Sequence, residues 1–83
     1  MNVELLRDAA KYMKRMNQPD KGRIARGLEK LALDPPQGDI TALEGKDGYR
    51  LRVGGYRVLF DIEENMILVY DIAPRGQAYK GGF

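Results

Sequence analysis

Apolar positions along the chain change period near its midpoint, from three- and four-residue spacing to a spacing of two. From about Arg7, residues Ala9, Ala10, Met13 and Met16 recur at helical intervals, with Lys11, Lys14 and Arg15 mostly elsewhere. That spacing predicts an amphipathic helix. Asn17-Gln18-Pro19-Asp20 interrupts it, and Pro19 suits a first turn, where its missing donor would be unsatisfied anyway. A second helix is predicted to about Leu33, with Ile24, Leu28 and Leu31 in one stripe and Ala25 and Ala32 beside it. Lys21, Arg23, Arg26, Glu29 and Lys30 fill its remaining surface. Asp34-Pro35-Pro36 ends it, because a residue before proline is pushed out of the helical region and proline lacks the donor. Met1 to Leu6 is short and weakly patterned, compatible with an edge strand.

The second half reads as strands. Tyr49-Arg50-Leu51-Arg52-Val53 alternates apolar and basic residues, the mark of a strand with one buried face. Gly54-Gly55 is a two-residue hairpin signal, since both positions tolerate positive φ. Tyr56 to Ile62 continues as a strand with Tyr56, Val58, Phe60 and Ile62 on one face. Glu63-Glu64-Asn65 reads as a turn, and Met66 to Ala73 as a third strand rich in Ile, Leu, Val and Tyr. Helices first and an antiparallel meander afterwards predict an α+β fold, with an N-terminal helical hairpin packed on a small, mainly antiparallel, twisted sheet.

Composition narrows the chemistry. The 83 residues allow one domain, 1–83. Cysteine, histidine and serine are all absent, and the hydroxyls are Thr41 and five tyrosines. Disulfides, thiolate metal sites and hydrolysis built on Ser, Cys or His are thereby excluded, and no metal or other cofactor is expected. Fourteen Lys and Arg against twelve Asp and Glu give a net charge of +2, a mild basic excess without a polybasic tail. Apolar stretches are far shorter than a membrane span, and Glu4, Arg7 and Asp8 come too early for a targeting segment. The expected compartment is the cytoplasm, with no membrane partner.

The hairpin geometry singles out the arginines. With Gly54 and Gly55 as the turn, Val53 pairs with Tyr56 and Arg52 lies opposite Arg57. Arg50 then shares their face, while Tyr49, Leu51, Val53, Tyr56 and Val58 take the other, where the helices belong. Like charges directly opposite in a sheet cost roughly 0.2–1 kcal/mol, and an anion turns that cost into attraction. The third strand runs back antiparallel, so Pro74 and Arg75 return toward Arg57, with Tyr79 and Lys80 just after. Guanidinium forks match phosphate oxygens, and a tyrosine ring stacks on an unstacked RNA base. The same alternation also describes a solvated sheet face, with Asp61, Glu63, Glu64 and Asp71 as possible partners, and the pattern leaves both readings open. The Met13 and Met16 stripe reads as core.

The run Leu43-Glu44-Gly45-Lys46-Asp47-Gly48-Tyr49-Arg50-Leu51-Arg52-Val53-Gly54-Gly55-Tyr56-Arg57-Val58 resembles the central signature of RelE-type toxins of bacterial and archaeal toxin–antitoxin pairs. Ile72-Ala73-Pro74-Arg75-Gly76-Gln77-Ala78-Tyr79-Lys80 is similar to that family's C-terminal signature, and Ile24 to Pro35 fits its second helix. The resemblance spans essentially the whole chain and implies the same small sheet under a helical hairpin. It also implies cleavage of mRNA in the ribosomal A site, where the substrate's own 2′-hydroxyl attacks the adjacent phosphate. That reaction leaves a 2′,3′-cyclic phosphate and a 5′-hydroxyl and uses neither metal nor protein nucleophile; it needs alignment, charge stabilisation and proton transfer.

By position in that family, Arg50 and Arg52 match two basic strand residues, Arg57 the transition-state arginine, Arg75 the C-terminal arginine and Tyr79 the nucleotide-stacking tyrosine. The resemblance thus implies Arg57 on the scissile phosphate, Arg75 on the leaving oxygen, and Arg50 and Arg52 holding the backbone, with Lys46 and Lys80 as further RNA contacts. Some relatives carry lysines in the first of these strands where this chain has arginines, and arginine holds its proton too tightly to be a comfortable general base at neutral pH. Glu44 stands where some relatives are basic, and with four residues after Tyr79 a C-terminal helix is not expected. A cognate antitoxin and the ribosome with its mRNA are the implied partners, with operator DNA touched only through the antitoxin complex. Two alternatives are a ParE-like toxin acting on DNA gyrase and a non-catalytic RNA-binding module.

Overall fold

In the computed structural model, which describes residues 1–74, the change of period is a change of layer. The elements are β1 (Asn2–Leu5), α1 (Arg7–Arg15), α2 (Asp20–Leu31), β2 (Asp39–Ala42), β3 (Tyr49–Val53), β4 (Tyr56–Glu63) and β5 (Met66–Pro74). Five strands form one sheet in the order β1-β5-β4-β3-β2. Every neighbouring pair is antiparallel except β1 and β5. The fold is α+β, with α1 against β5 and β1 and α2 against β3.

The core lies between the helices and one face of the sheet. Ile24, Leu28 and Leu31 of α2 are buried with Ala9 of α1 against Leu51, Val58, Phe60, Ile67, Val69 and Ile72. Tyr49 and Phe60 face each other across β3 and β4 and stack at 5.5 Å between ring centroids, a cross-strand aromatic pair on the core side. Met13 and Met16 pack against this cluster as the helical spacing requires, and so does Tyr12. Ala10 does not: it is exposed.

Several boundaries differ from the sequence pattern for local reasons. Met1 to Leu6 does hold an edge strand, β1, paired in parallel with β5. Helix α2 stops at Leu31 rather than Leu33, and Leu33 is 53% exposed. Its last turn tightens, with the Leu33 and Gln37 N–H groups both bonding to the Lys30 carbonyl (3.2 and 3.0 Å), which folds the two prolines back along the helix end. Strand β2 has no counterpart in the pattern: Asp39-Ile40-Thr41-Ala42 is short, and only Ile40 packs against the core. A short polar strand is what a sheet edge favours. At the β3–β4 hairpin, positive φ falls on Gly54 (+57°) and not on Gly55.

Gly27 fixes how closely α2 approaches the sheet. A Cβ there would lie 2.9 Å from Val53 Cγ2 and 3.5 Å from Leu51 Cδ2. Val53 is β-branched and cannot swing aside cheaply. In an exposed helix, glycine to alanine gains about 1 kcal/mol from propensity; here overpacking of about 1–3 kcal/mol opposes it. Gly27→Ala is therefore expected to lower stability by about 1 kcal/mol, read as a reduced urea midpoint. An unchanged or raised midpoint would show that α2 lifts off β3 freely.

Candidate nucleic-acid interface

The register of the β3–β4 hairpin is Val53↔Tyr56, Arg52↔Arg57, Leu51↔Val58, Arg50↔Leu59 and Tyr49↔Phe60. Alternation sends Leu51, Val58 and Phe60 into the core and Arg50, Arg52, Arg57 and Leu59 to the face away from the helices. Leu59 confirms the sidedness, being buried yet outside the core cluster. Successive same-face residues of a strand are about 6.6 Å apart, and directly opposed Cβ atoms about 4.5–5.5 Å apart. Three arginine side chains therefore leave the sheet on one face, their Cβ atoms within about 8 Å of one another. Arg52 is exposed, Arg50 half-buried, and Arg57 4% exposed, the one buried charged side chain among the described residues.

The neighbouring strands complete this face. Strand β2 sets Asp39 against Arg52 and Thr41 against Arg50, and β5 sets Ala73 beside Arg57 and Asp71 beside Leu59. One row thus reads Asp39, Arg52, Arg57, Ala73, and the next reads Thr41, Arg50, Leu59, Asp71. Asp39 sets an opposite charge beside Arg52 on its far side, a juxtaposition hidden from the sequence because β2 was. Asp61 lies four residues along β4 from Arg57, about 13 Å away and beyond the Debye length of about 8 Å. Its Oδ1 accepts the Ile62 N–H at 2.8 Å. The face is therefore polarised, cationic near the Gly54-Gly55 turn and acidic toward the opposite end of β4.

A register shift in β5 adds a tyrosine that alternation misplaces. Leu59 pairs with Asp71 and Phe60 with Val69, which leaves Tyr70 as the extra residue of a β-bulge. A Cβ on Gly48 would lie 2.8 Å from the Tyr70 hydroxyl and 3.3 Å from the Phe60 carbonyl oxygen. Tyr70 thus reaches across β4, and since Phe60 fills the core side, it crosses on the arginine side. Burial pushes its phenol above the ordinary value of 10.0, and the Asp61 and Asp71 carboxylates push it further. In the sequence, Ile67 and Val69 share one parity and Ile72 the other, which is the trace the bulge leaves.

Of the other candidates, Lys46 stands exposed in the β2–β3 loop, at the end of β3 that Arg50 occupies and away from Arg57. Arg75, Tyr79 and Lys80 lie outside the described residues. No group of three or more His, Cys, Asp or Glu able to hold a metal ion occurs among the described residues. No helix among them is long and apolar enough to cross a membrane. On the helix side, the Tyr56 hydroxyl donates to Asp20 Oδ2 at 3.0 Å, and Tyr12 meets Tyr56 edge-on at 6.4 Å.

Tyr12, Tyr56 and Tyr70 all have their phenol pKa raised: Tyr12 first by burial, Tyr56 first by its hydrogen bond to Asp20, and Tyr70 first by burial. A pKa higher in the folded than in the unfolded chain means that folding retains the proton. The associated stability is complete below pH 10 and lost as the pH climbs past it. Urea midpoints measured from pH 8 to 11 are expected to fall at the alkaline end, and Tyr70→Phe is expected to flatten the fall. A slope unchanged by that substitution would count against a buried Tyr70.

Comparison with known proteins bears on the family and the fold. A family model described as the ParE toxin of the type II toxin–antitoxin system parDE matches residues 3–79. The RelE–RelB complex of Pyrococcus horikoshii OT3 contains a chain 25% identical, with TM-score 0.76, the match covering 92% of this chain and 96% of that one. A chain of the RelB–RelE antitoxin–toxin complex of Methanococcus jannaschii shares the fold at 22% identity and TM-score 0.75, over 90% of this chain and 93% of that one. No curated protein sequence matches.

Proposed function

The chain belongs to the RelE/ParE superfamily of toxins of type II toxin–antitoxin systems, and on that premise we propose that it is a ribosome-dependent endonuclease that cuts mRNA in the A site. Residues 1–83 act in this reading as one toxin domain. The observation that carries it is the row Arg52–Arg57 with Arg50 alongside, on a sheet face that no helix of the described residues covers.

The chemistry follows from those groups. The substrate's 2′-oxygen forms a bond to phosphorus, the P–O5′ bond breaks, and the products are a 2′,3′-cyclic phosphate and a 5′-hydroxyl. Charge accumulates on the phosphorane oxygens, and Arg57 answers it from a site where low dielectric strengthens each charge–charge contact. Arg50 and Arg52 grip the flanking backbone as bidentate donors, and Lys46 meets the strand beyond Arg50. Arg75 serves the leaving oxygen, Tyr79 stacks on a base, and Lys80 adds a phosphate contact. The 2′-hydroxyl proton goes to a base other than Tyr12, Tyr56 or Tyr70, since raised pKa values make those three phenols poor acceptors at neutral pH. A cognate antitoxin is the partner that silences the arginine face, in keeping with the solved complexes of similar chains.

The matched family model describes ParE, which favours a second reading, inhibition of DNA gyrase. Primer extension on a defined mRNA separates the two. With translating ribosomes, cuts confined to A-site codons are expected, with none on ribosome-free mRNA. Arg57→Gln is expected to reduce cutting by about 100-fold or more, the range for losing one oxyanion donor. Arg52→Gln, at an exposed position, is expected to reduce cutting while leaving the urea midpoint close to wild type. Intact mRNA together with blocked gyrase supercoiling would replace this reading with the second.

A further inference from the structure

We propose that the groove between α2 and the β2–β3 end of the sheet is a second anion site, which holds the sugar–phosphate backbone of RNA beyond the arginine face. It rests on the reading of the chain as acting on RNA, though not on cleavage. The groove has a volume of about 330 Å³, with Arg23, Arg26 and Lys30 along α2, Arg52 from β3, and Gln37 and Asp39 on the opposite wall. Arg23, Arg26 and Lys30 supply the charge on this side of the sheet, while the Arg52 and Asp39 side chains leave their strands toward the other face. Arg23 also pairs with Asp20 at 3.6 Å, in a solvent-exposed contact of little strength.

The spacing of the helical cations suits a linear polyanion. Positions 23, 26 and 30 form one stripe spanning about 10 Å of helix axis, the length of a short run of backbone phosphates. All three side chains are exposed. Like charges at these separations destabilise a helix by a few tenths of a kcal/mol per pair, so the stripe adds nothing to the fold.

The walls are shaped as well as charged. Gly27 and Gly38 line the groove, and a Cβ on either would press on Val53 or on Leu51, at 2.9 and 2.7 Å. The missing side chains bring α2 and the loop against β3 and leave backbone accessible to a ligand. The loop wall is pinned by the Gln37 N–H bonded to the Lys30 carbonyl at 3.0 Å.

Two features favour nucleic acid over an acidic peptide. The apolar lining residues, Leu51 and Val53, belong to the core, so the groove lacks the anchor pockets by which a peptide helix docks. Arg52 helps line the groove at the edge of β3 while its side chain leaves on the arginine face, so the two cationic surfaces adjoin at one residue and one strand of RNA can run from one to the other.

Fluorescence anisotropy with a short fluorescein-labelled single-stranded RNA, titrated at several salt concentrations, tests the proposal. The Arg26→Gln/Lys30→Gln double variant is expected to bind about tenfold more weakly, with the salt slope shallower by about 1–2 and an unchanged urea midpoint. Lys30→Glu is expected to weaken binding further, and Lys30→Arg to restore it. Wild-type affinity and slope in the double variant would overturn the proposal, as would wild-type RNA binding combined with lost binding of polyglutamate. A weakened double variant alongside silent primer extension would keep the groove and remove the nuclease reading. The converse pair of results would do the opposite.

Discussion

Everything else in the molecule depends on the pairing of Val53 with Tyr56 across the Gly54-Gly55 turn. A strand has period two, so a slip of one residue would carry Leu51, Val58 and Phe60 out of the core and drive three arginines into it. The positive φ at Gly54 sets the turn, and the turn sets the register. From that register come the stacked Tyr49–Phe60 pair beneath α2's side of the sheet and the opposed Arg52–Arg57 pair on the reverse. Packing and recognition are two faces of one hairpin. The core enforces the register because its hydrophobic gain, roughly 1.5–3 kcal/mol per buried large side chain, far exceeds the repulsion between two facing arginines.

How the sheet tolerates that repulsion is settled by its outer strands. Arg52 stands between Arg57 and Asp39, so attraction from the β2 side and repulsion from the β4 side are of similar size, each within roughly 0.2–1 kcal/mol. Asp71 sits one diagonal step from Arg57, about 7–8 Å away and within reach of a long side chain, near enough to moderate its charge. The remaining carboxylates of this face, Asp61, Glu63 and Glu4, lie toward the far end of β4 and the opposite edge. Positive charge is therefore concentrated at the turn end of the sheet and negative charge at the other.

The helices, the three long strands and the facing arginines were legible because each follows from a rule acting on neighbouring residues: the Ile24-Leu28-Leu31 stripe, the alternation through Tyr49–Val53, the paired glycines. What stayed hidden depends on partners distant in sequence. Strand β2 exists only because β3 offers it an edge, and Asp39-Ile40-Thr41-Ala42 has too little apolar pattern to announce itself. The bulge at Tyr70 arises where β5 must pair with β4 and still return Ile72 to the core. The α2 groove needed both: Arg23, Arg26 and Lys30 read as a solvated helix face until β2 and its loop supply the opposite wall. Of the candidate site, the β3 and β4 arginines fall together as the alternation implies, while Lys46 sits at the other end of β3.

The separation of faces has a consequence for how function and folding are coupled. Arg26, Lys30 and Arg52 are exposed and contribute little to the core, so their charge is free to serve a ligand. Arg57 differs. Transferring a guanidinium into a site 4% exposed carries a desolvation penalty of several kcal/mol before compensation, a large share of the stability that a small domain possesses. At that position the requirements of the fold and of the proposed phosphate contact meet in one side chain. A lysine there would keep the charge but lose the planar fork and its weaker hydration, so the two requirements together favour arginine. Burial restricts the rotamers open to this side chain, and in the proposed reaction a pre-oriented charge stabilises the transition state better than the ground state.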